Sequence, residues 1–141
     1  MVNPMASKIR CVNYFHATVR DRPGEAYRLL AELARSRVSL LAFSAVPAGI
    51  DTTQLMLFPE DPERLIESAA SSGMVLTGPQ TALLIQGDDE LGALAEVHRK
   101  LADASINVYA STGVTDGRGG YGYVLYLRNN EVEAASRALG L

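Results

Sequence analysis

The chain has 141 residues, 48% of them apolar, enough for one ordinary domain or two small ones with a real core and too many for a disordered chain. Its 16 acidic and 13 basic side chains leave a net charge of -3 with no long single-sign run, which excludes an electrostatic nucleic-acid-binding surface. The single cysteine, Cys11, excludes an intramolecular disulfide framework. The N-terminal MVNPMASKIR carries no apolar signal-peptide core, and the apolar run near Leu40 to Pro47 is too short to span a bilayer, so a cytoplasmic protein with no membrane partner is expected.

From Tyr14 to Arg20 the apolar Phe15, Ala17 and Val19 alternate with polar neighbours, the period of a half-buried strand. Asp21-Arg22-Pro23-Gly24 ends it. Pro23 suits a first helical turn, and Ala26, Leu29, Leu30, Leu33 and Ala34 recur at helical spacing, which predicts a helix over about 23–36. Val38 to Val46 and Thr53 to Phe58 read as strands around a turn at Pro47-Ala48-Gly49. Asp61-Pro62 starts a helix with Leu65, Ile66, Ala69 and Ala70 on one face, Ser71-Ser72-Gly73 closes it, and Met74 to Thr77 reads as a short strand. The order is βαββαβ.

The same order then recurs. Thr81 to Gln86 reads as a strand, 91–104 as a helix with Leu94, Val97 and Leu101 facing inward, and Asn107 to Val114 and Tyr121 to Leu127 as strands joined by a glycine-rich loop. Asn129-Asn130 is expected to cap a last helix through Leu139. An offset of 68 lays Asp21 to Gly24 on Asp89 to Gly92, Leu33 on Leu101, Leu57 on Leu125, Glu63 on Glu131 and Ser68 on Ser136 without a gap, so the chain is an internal repeat. By that offset Leu141 falls opposite Gly73, and the second copy lacks its own fourth strand. The open edge is expected to be covered by Lys8 to Asn13 or by another subunit.

The fold class expected is therefore α+β, with two tandem ferredoxin-like βαββαβ modules at residues 9–78 and 79–141, each an antiparallel sheet with its helices on one face. With its repeated strand, acid-x-x-Gly turn, amphipathic helix and Val-Ser or Ile-Asn strand start, the chain resembles the ACT domain, a small module that binds amino acids in regulatory regions of metabolic enzymes. The resemblance covers about residues 12 to 140 and implies a stand-alone tandem ACT protein. It also implies an amino-acid ligand held where paired domains meet, between the first strand-to-helix loop and the start of the second strand. The positions are Asp21, Arg22, Pro23, Gly24, Glu25 and Ser39 in the first copy, and Asp89, Glu90, Leu91, Gly92, Ala93 and Asn107 in the second. Leu91-Gly92 departs from the family's Pro-Gly, and Ser39 departs from its asparagine.

Elementary chemistry supports such a site. A first helical turn leaves unpaired N–H groups and a partial positive charge that stabilise a carboxylate by a fraction to about 1 kcal/mol. Asp21, Asp89 or the Asn107 side-chain oxygen is an acceptor for an α-ammonium, and Asn107, with donor and acceptors both, makes the second copy the better site. Two plainer readings stay open: Gly24 and Gly92 as turn residues, and Asp21 and Asp89 as helix-start residues. The GRGGYG stretch from Gly117 to Gly122 lacks a Lys-Ser/Thr ending and opens no helix, so it reads as a hairpin loop; a mobile loop that carries Arg118 over a ligand is the alternative. His16 and His98 have no metal-ligand spacing around them, Ser44, Ser111 and Thr112 sit in no nucleophile elbow, and Tyr109, Tyr123 and Tyr126 read as packing or interface residues. The expectation is a non-catalytic amino-acid sensor with no cofactor or metal, forming a homodimer or gripping a partner enzyme. A ligand-free assembly module and a small ferredoxin-like enzyme are the alternatives.

Overall fold

The computed structural model describes residues 8–141; the N-terminal MVNPMAS part of the stretch read for a signal peptide lies outside the described residues. The chain divides into two compact units, Asn13–Gln80 and Thr81–Leu141, the second joined by residues 8–12.

In the unit Asn13–Gln80, strand β1 (Lys8–Arg20) runs into helix α1 (Glu25–Arg35), followed by the hairpin β2 (Leu40–Pro47) and β3 (Thr52–Pro59) and helix α2 (Pro62–Ser72). The strand order is β2-β3-β1, antiparallel throughout, with Phe43 and Phe15 both opposite Leu57. Alternation sends Phe15, Ala17, Leu55 and Leu57 to one face, where they meet Leu29 and Leu33 of α1 and Leu65 of α2 in one apolar core. Asp61 caps α2 by accepting the Glu63 N–H at 3.1 Å, Pro62 occupies the first turn, and Gly73 ends the helix in the left-handed region at φ 79°. Ser68, the buried polar residue here, donates to Ser36 Oγ at 2.9 Å and so ties α2 to the end of α1.

The unit Thr81–Leu141 takes up strand β4 (Thr77–Asp88), helix α3 (Ala93–Asp103), the hairpin β5 (Ala110–Thr115) and β6 (Gly120–Tyr126), and helix α4 (Val132–Ala138). Its order is β1-β4-β6-β5, with β4-β6 and β6-β5 antiparallel. The core gathers Leu83, Ile85, Leu101, Leu125 and Ala135, and Ile9 of β1 packs against it. The Sγ of Cys11 lies 3.5 Å from Ser136 Oγ on α4. Residues 8–12 thus stand where the sequence leaves this copy short of a strand, one of the two covers expected.

The repeat is written into backbone detail. Leu57 pairs with Phe15 as Leu125 pairs with Leu83, and Asp21 N–H donates to Asp51 O as Asp89 N–H donates to Gly119 O. Both α1 and α3 end in a residue forced to positive φ, Arg37 and Ser105, each at 58°. The next amide then returns to the helix, Val38 N–H to Leu33 O and Ile106 N–H to Leu101 O, both at 2.9 Å.

Four details differ from expectation. Met74 to Thr77 and Thr81 to Gln86 are not separate strands: 74–76 is irregular, with Met74 and Leu76 packed on the first core, and one strand runs from Thr77 through Gly78-Pro79 to Asp88. Neither Asn129 nor Asn130 caps α4; they open a 3-10 turn, and Glu131 stands at the helix start without a side-chain cap. The last helix is in register at 67, not 68, because Met74 N–H to Ala69 O is matched by Leu141 N–H to Ser136 O, so Leu141 corresponds to Met74 rather than Gly73. Finally, β2 and β5 begin at Leu40 and Ala110, two to three residues later than read, because the chain must first leave the positive-φ turn.

Candidate functional site

Each unit has a corner where its first long strand turns into a helix. At the first, Asp21, Arg22, Pro23 and Gly24 are exposed, Glu25 N–H donates to Arg22 O at 3.3 Å, and Gly24 takes the position before the helix at φ 90°. At the second, Asp89, Glu90, Leu91 and Gly92 are exposed, Ala93 N–H donates to Glu90 O at 3.1 Å, and Gly92 stands at φ 84°. A left-handed residue at this point is costly for any side chain bearing a Cβ, so the turn itself requires glycine twice. Neither Asp21 nor Asp89 caps its helix: both helices start with no side-chain cap. The N–H groups of Leu94 and Ala95 find no acceptor among the described residues, since the next amide bonded back is Glu96 N–H to Gly92 O at 3.1 Å.

An open cavity of about 580 Å³ lies at the second corner. The run Asp89 to Ala93 forms one wall, continued by the first turn of α3, and the facing wall is the end of β5, Gly113 to Thr115, with Tyr121 of β6 opposite Thr115. Of the residues expected to bind a ligand in this copy, the structure brings Asp89, Glu90, Leu91, Gly92 and Ala93 together around one space. Asn107 is not among the lining residues; it is exposed before β5, and its N–H donates to Glu131 Oε2 at 3.3 Å.

The first corner is furnished differently. A Cβ on Gly24 would meet the Arg28 guanidinium at 3.7 Å, whereas nothing lies within 4 Å of one on Gly92. Arg28 is held there by Glu25 at 3.3 Å. Its counterpart Glu96 instead turns to Arg99 at 2.5 Å, an ion pair along the exposed face of α3. Ser39 is exposed and its carbonyl accepts the Glu60 N–H at 2.8 Å. A second cavity of about 580 Å³ in this unit lies beside α2, lined by Ser36, Asp61, Glu63, Arg64 and Glu67 among others, and includes none of the expected binding residues.

Two features beside the second corner escaped the sequence reading. Tyr123 Oη donates to Ser111 Oγ at 2.9 Å and lies 2.6 Å from His98 Nε2, which ties α3 to β5 through a buried tyrosine. Gly113 sits over that ring so closely that a Cβ would come within 2.9 Å of it, so this cavity wall has no room for a side chain. The other is Asp116, whose Oδ1 accepts the N–H groups of Arg118 at 2.6 Å and Gly120 at 3.0 Å. These bonds, the Arg118 amide first, hold its carboxyl below the usual aspartate range. This hairpin loop is thereby latched, and Arg118 does not line the cavity.

Among the described residues no cluster of potential metal ligands forms, and no helix is long and apolar enough to cross a membrane. No family model matches the sequence, and no curated relative matches it. Solved structures do. Protein BT0572 from Bacteroides thetaiotaomicron superposes with a TM-score of 0.79 at 14% identity, over 93% of this chain and 88% of that one. The regulatory subunit of aspartate kinase from Thermus thermophilus gives 0.61 at 12% identity over 97% of both chains, and that from Thermus flavus gives 0.58 at 18% over 98% of this chain and 95% of that one. The chain shares the α+β fold of these regulatory subunits.

Proposed function

We propose that the chain is a non-catalytic regulatory protein of two tandem ACT-type modules, residues 9–78 and 79–141, that senses a free amino acid in the cytoplasm. The observation that carries this reading is the cavity at the second corner, whose wall is the run Asp89 to Ala93. A ligand carboxylate meets the free N–H groups of Leu94 and Ala95 and the positive end of α3, and Asp89 or Glu90 takes the ammonium. The fold shared with aspartate kinase regulatory subunits supports a regulatory role. Regulation follows if the ligand binds two association states of the protein unequally, as a homodimer or on a partner enzyme.

A thermal-shift screen against the proteinogenic amino acids tests this. A ligand that binds only the folded chain adds about 2.7 kcal/mol at a hundred times its Kd, so one or a few amino acids should raise the Tm at millimolar concentration. A flat screen contradicts the reading and favours the assembly-module alternative. That alternative has its own support in β5, exposed along its whole length at the end of the strand order.

A further inference from the structure

We infer that the amino acid taken at the second corner is one with an aliphatic side chain. This inference rests on the reading of that corner as an amino-acid site and names its ligand class. It is carried by the side chains of the cavity rather than by the helix end. Leu91 is fully exposed, Val114 is 70% exposed and Leu94 37%, and all three line the same space, where Ala93, Ala95 and Gly113 leave room beside them. Large apolar side chains left in water around one concave site mark a surface that gains by being covered. The charge around it is of one sign: Asp89 and Glu90 are its carboxylates, and among the described residues no lysine, arginine or histidine lines the cavity. That set attracts an ammonium and repels a second carboxylate, which disfavours glutamate and aspartate, and the remainder of the ligand faces leucine and valine.

Isothermal titration of the full chain with glycine, alanine, valine, leucine, isoleucine, glutamate and lysine reads this out. Affinity should rise from glycine to leucine by up to about fourfold per buried methylene, with glutamate binding less tightly than leucine. Val114→Thr, an isosteric change at an exposed position, should lower leucine affinity severalfold and alanine affinity less. Tightest binding by lysine would overturn the aliphatic class while keeping the site, because it would mean that Asp89 and Glu90 each take a cation. Equal binding of alanine and leucine would also overturn it. If none of the seven binds, the amino-acid reading of the corner fails together with the inference.

Discussion

The corners after β1 and β4 have the same backbone and different surroundings. Gly24 and Gly92 share one conformation, the same turn bond precedes each helix, and the same tether runs to the hairpin opposite, Asp21 to Asp51 and Asp89 to Gly119. What differs is the side chain one turn into the helix. Arg28 leans back over Gly24, while Glu96 pairs forward with Arg99 and leaves Gly92 uncovered. A repeat preserves its frame through main-chain bonds and buried leucines, while the exposed side chains at its two corners differ.

The largest effects expected lie in the shared frame. Leu33 and Leu101 are matching core residues, each 1% exposed, and truncation of either to alanine should cost about 2–5 kcal/mol in denaturant unfolding. Similar costs would mean that the two cores carry equal weight; a large disparity would break the equivalence. Next come the corners. Gly24→Ala and Gly92→Ala both place a Cβ at positive φ and should each cost about 1–2 kcal/mol, but only Gly92→Ala should abolish the thermal response to an amino acid. Tyr123→Phe removes the link from His98 to Ser111, absent from the first unit, and should cost about 1–2 kcal/mol by chemical denaturation. Arg28→Ala should barely change stability, the guanidinium being exposed, yet should open the first corner and raise the ligand stoichiometry measured by titration.

The smallest effect is a pH response. Because the Asp116 carboxyl titrates below its unfolded value of about 3.9, its contribution to holding the hairpin loop is complete above that pH and is lost as pH falls through the lower folded value. Hydrogen exchange at Arg118 and Gly120 should quicken, relative to the rest of β6, under strongly acidic conditions. Asp116→Ala should show the same loosening at neutral pH, and an unchanged exchange pattern in that variant would rule out the latch.

Much of the frame was legible because it obeys short-range rules. Period-two alternation at Phe15, Ala17 and Val19 and helical spacing through Leu29 and Leu33 located the elements, and the offset of 68 held as far as Leu125 because strand register and turn length are the same in both copies. It failed at the last helix because one residue is lost in the loop ahead of α4, which no apolar pattern marks. A strand ending at Thr77 and another starting at Thr81 were expected, although strand β4 runs on from Thr77 through Gly78-Pro79 to Asp88. At the site, the corner Asp89 to Ala93 is contiguous in sequence and was identified through the family resemblance. Its facing wall, Gly113 to Thr115, was missed because it is brought opposite by hairpin pairing with Tyr121 to Tyr123. The repeat offered one signal: Val46 and Val114 share a position late in the edge strand of each unit, and both remain exposed.

The central claim is that the second corner receives an amino acid and the first, under Arg28, does not. The most direct test is a two-dimensional 15N–1H NMR titration with leucine. Amide shifts concentrated at Gly92, Leu94, Ala95 and Val114, with Gly24, Ala26 and Tyr27 unmoved, are the predicted result. Shifts centred on Gly24, or none at either corner at millimolar leucine, would contradict it.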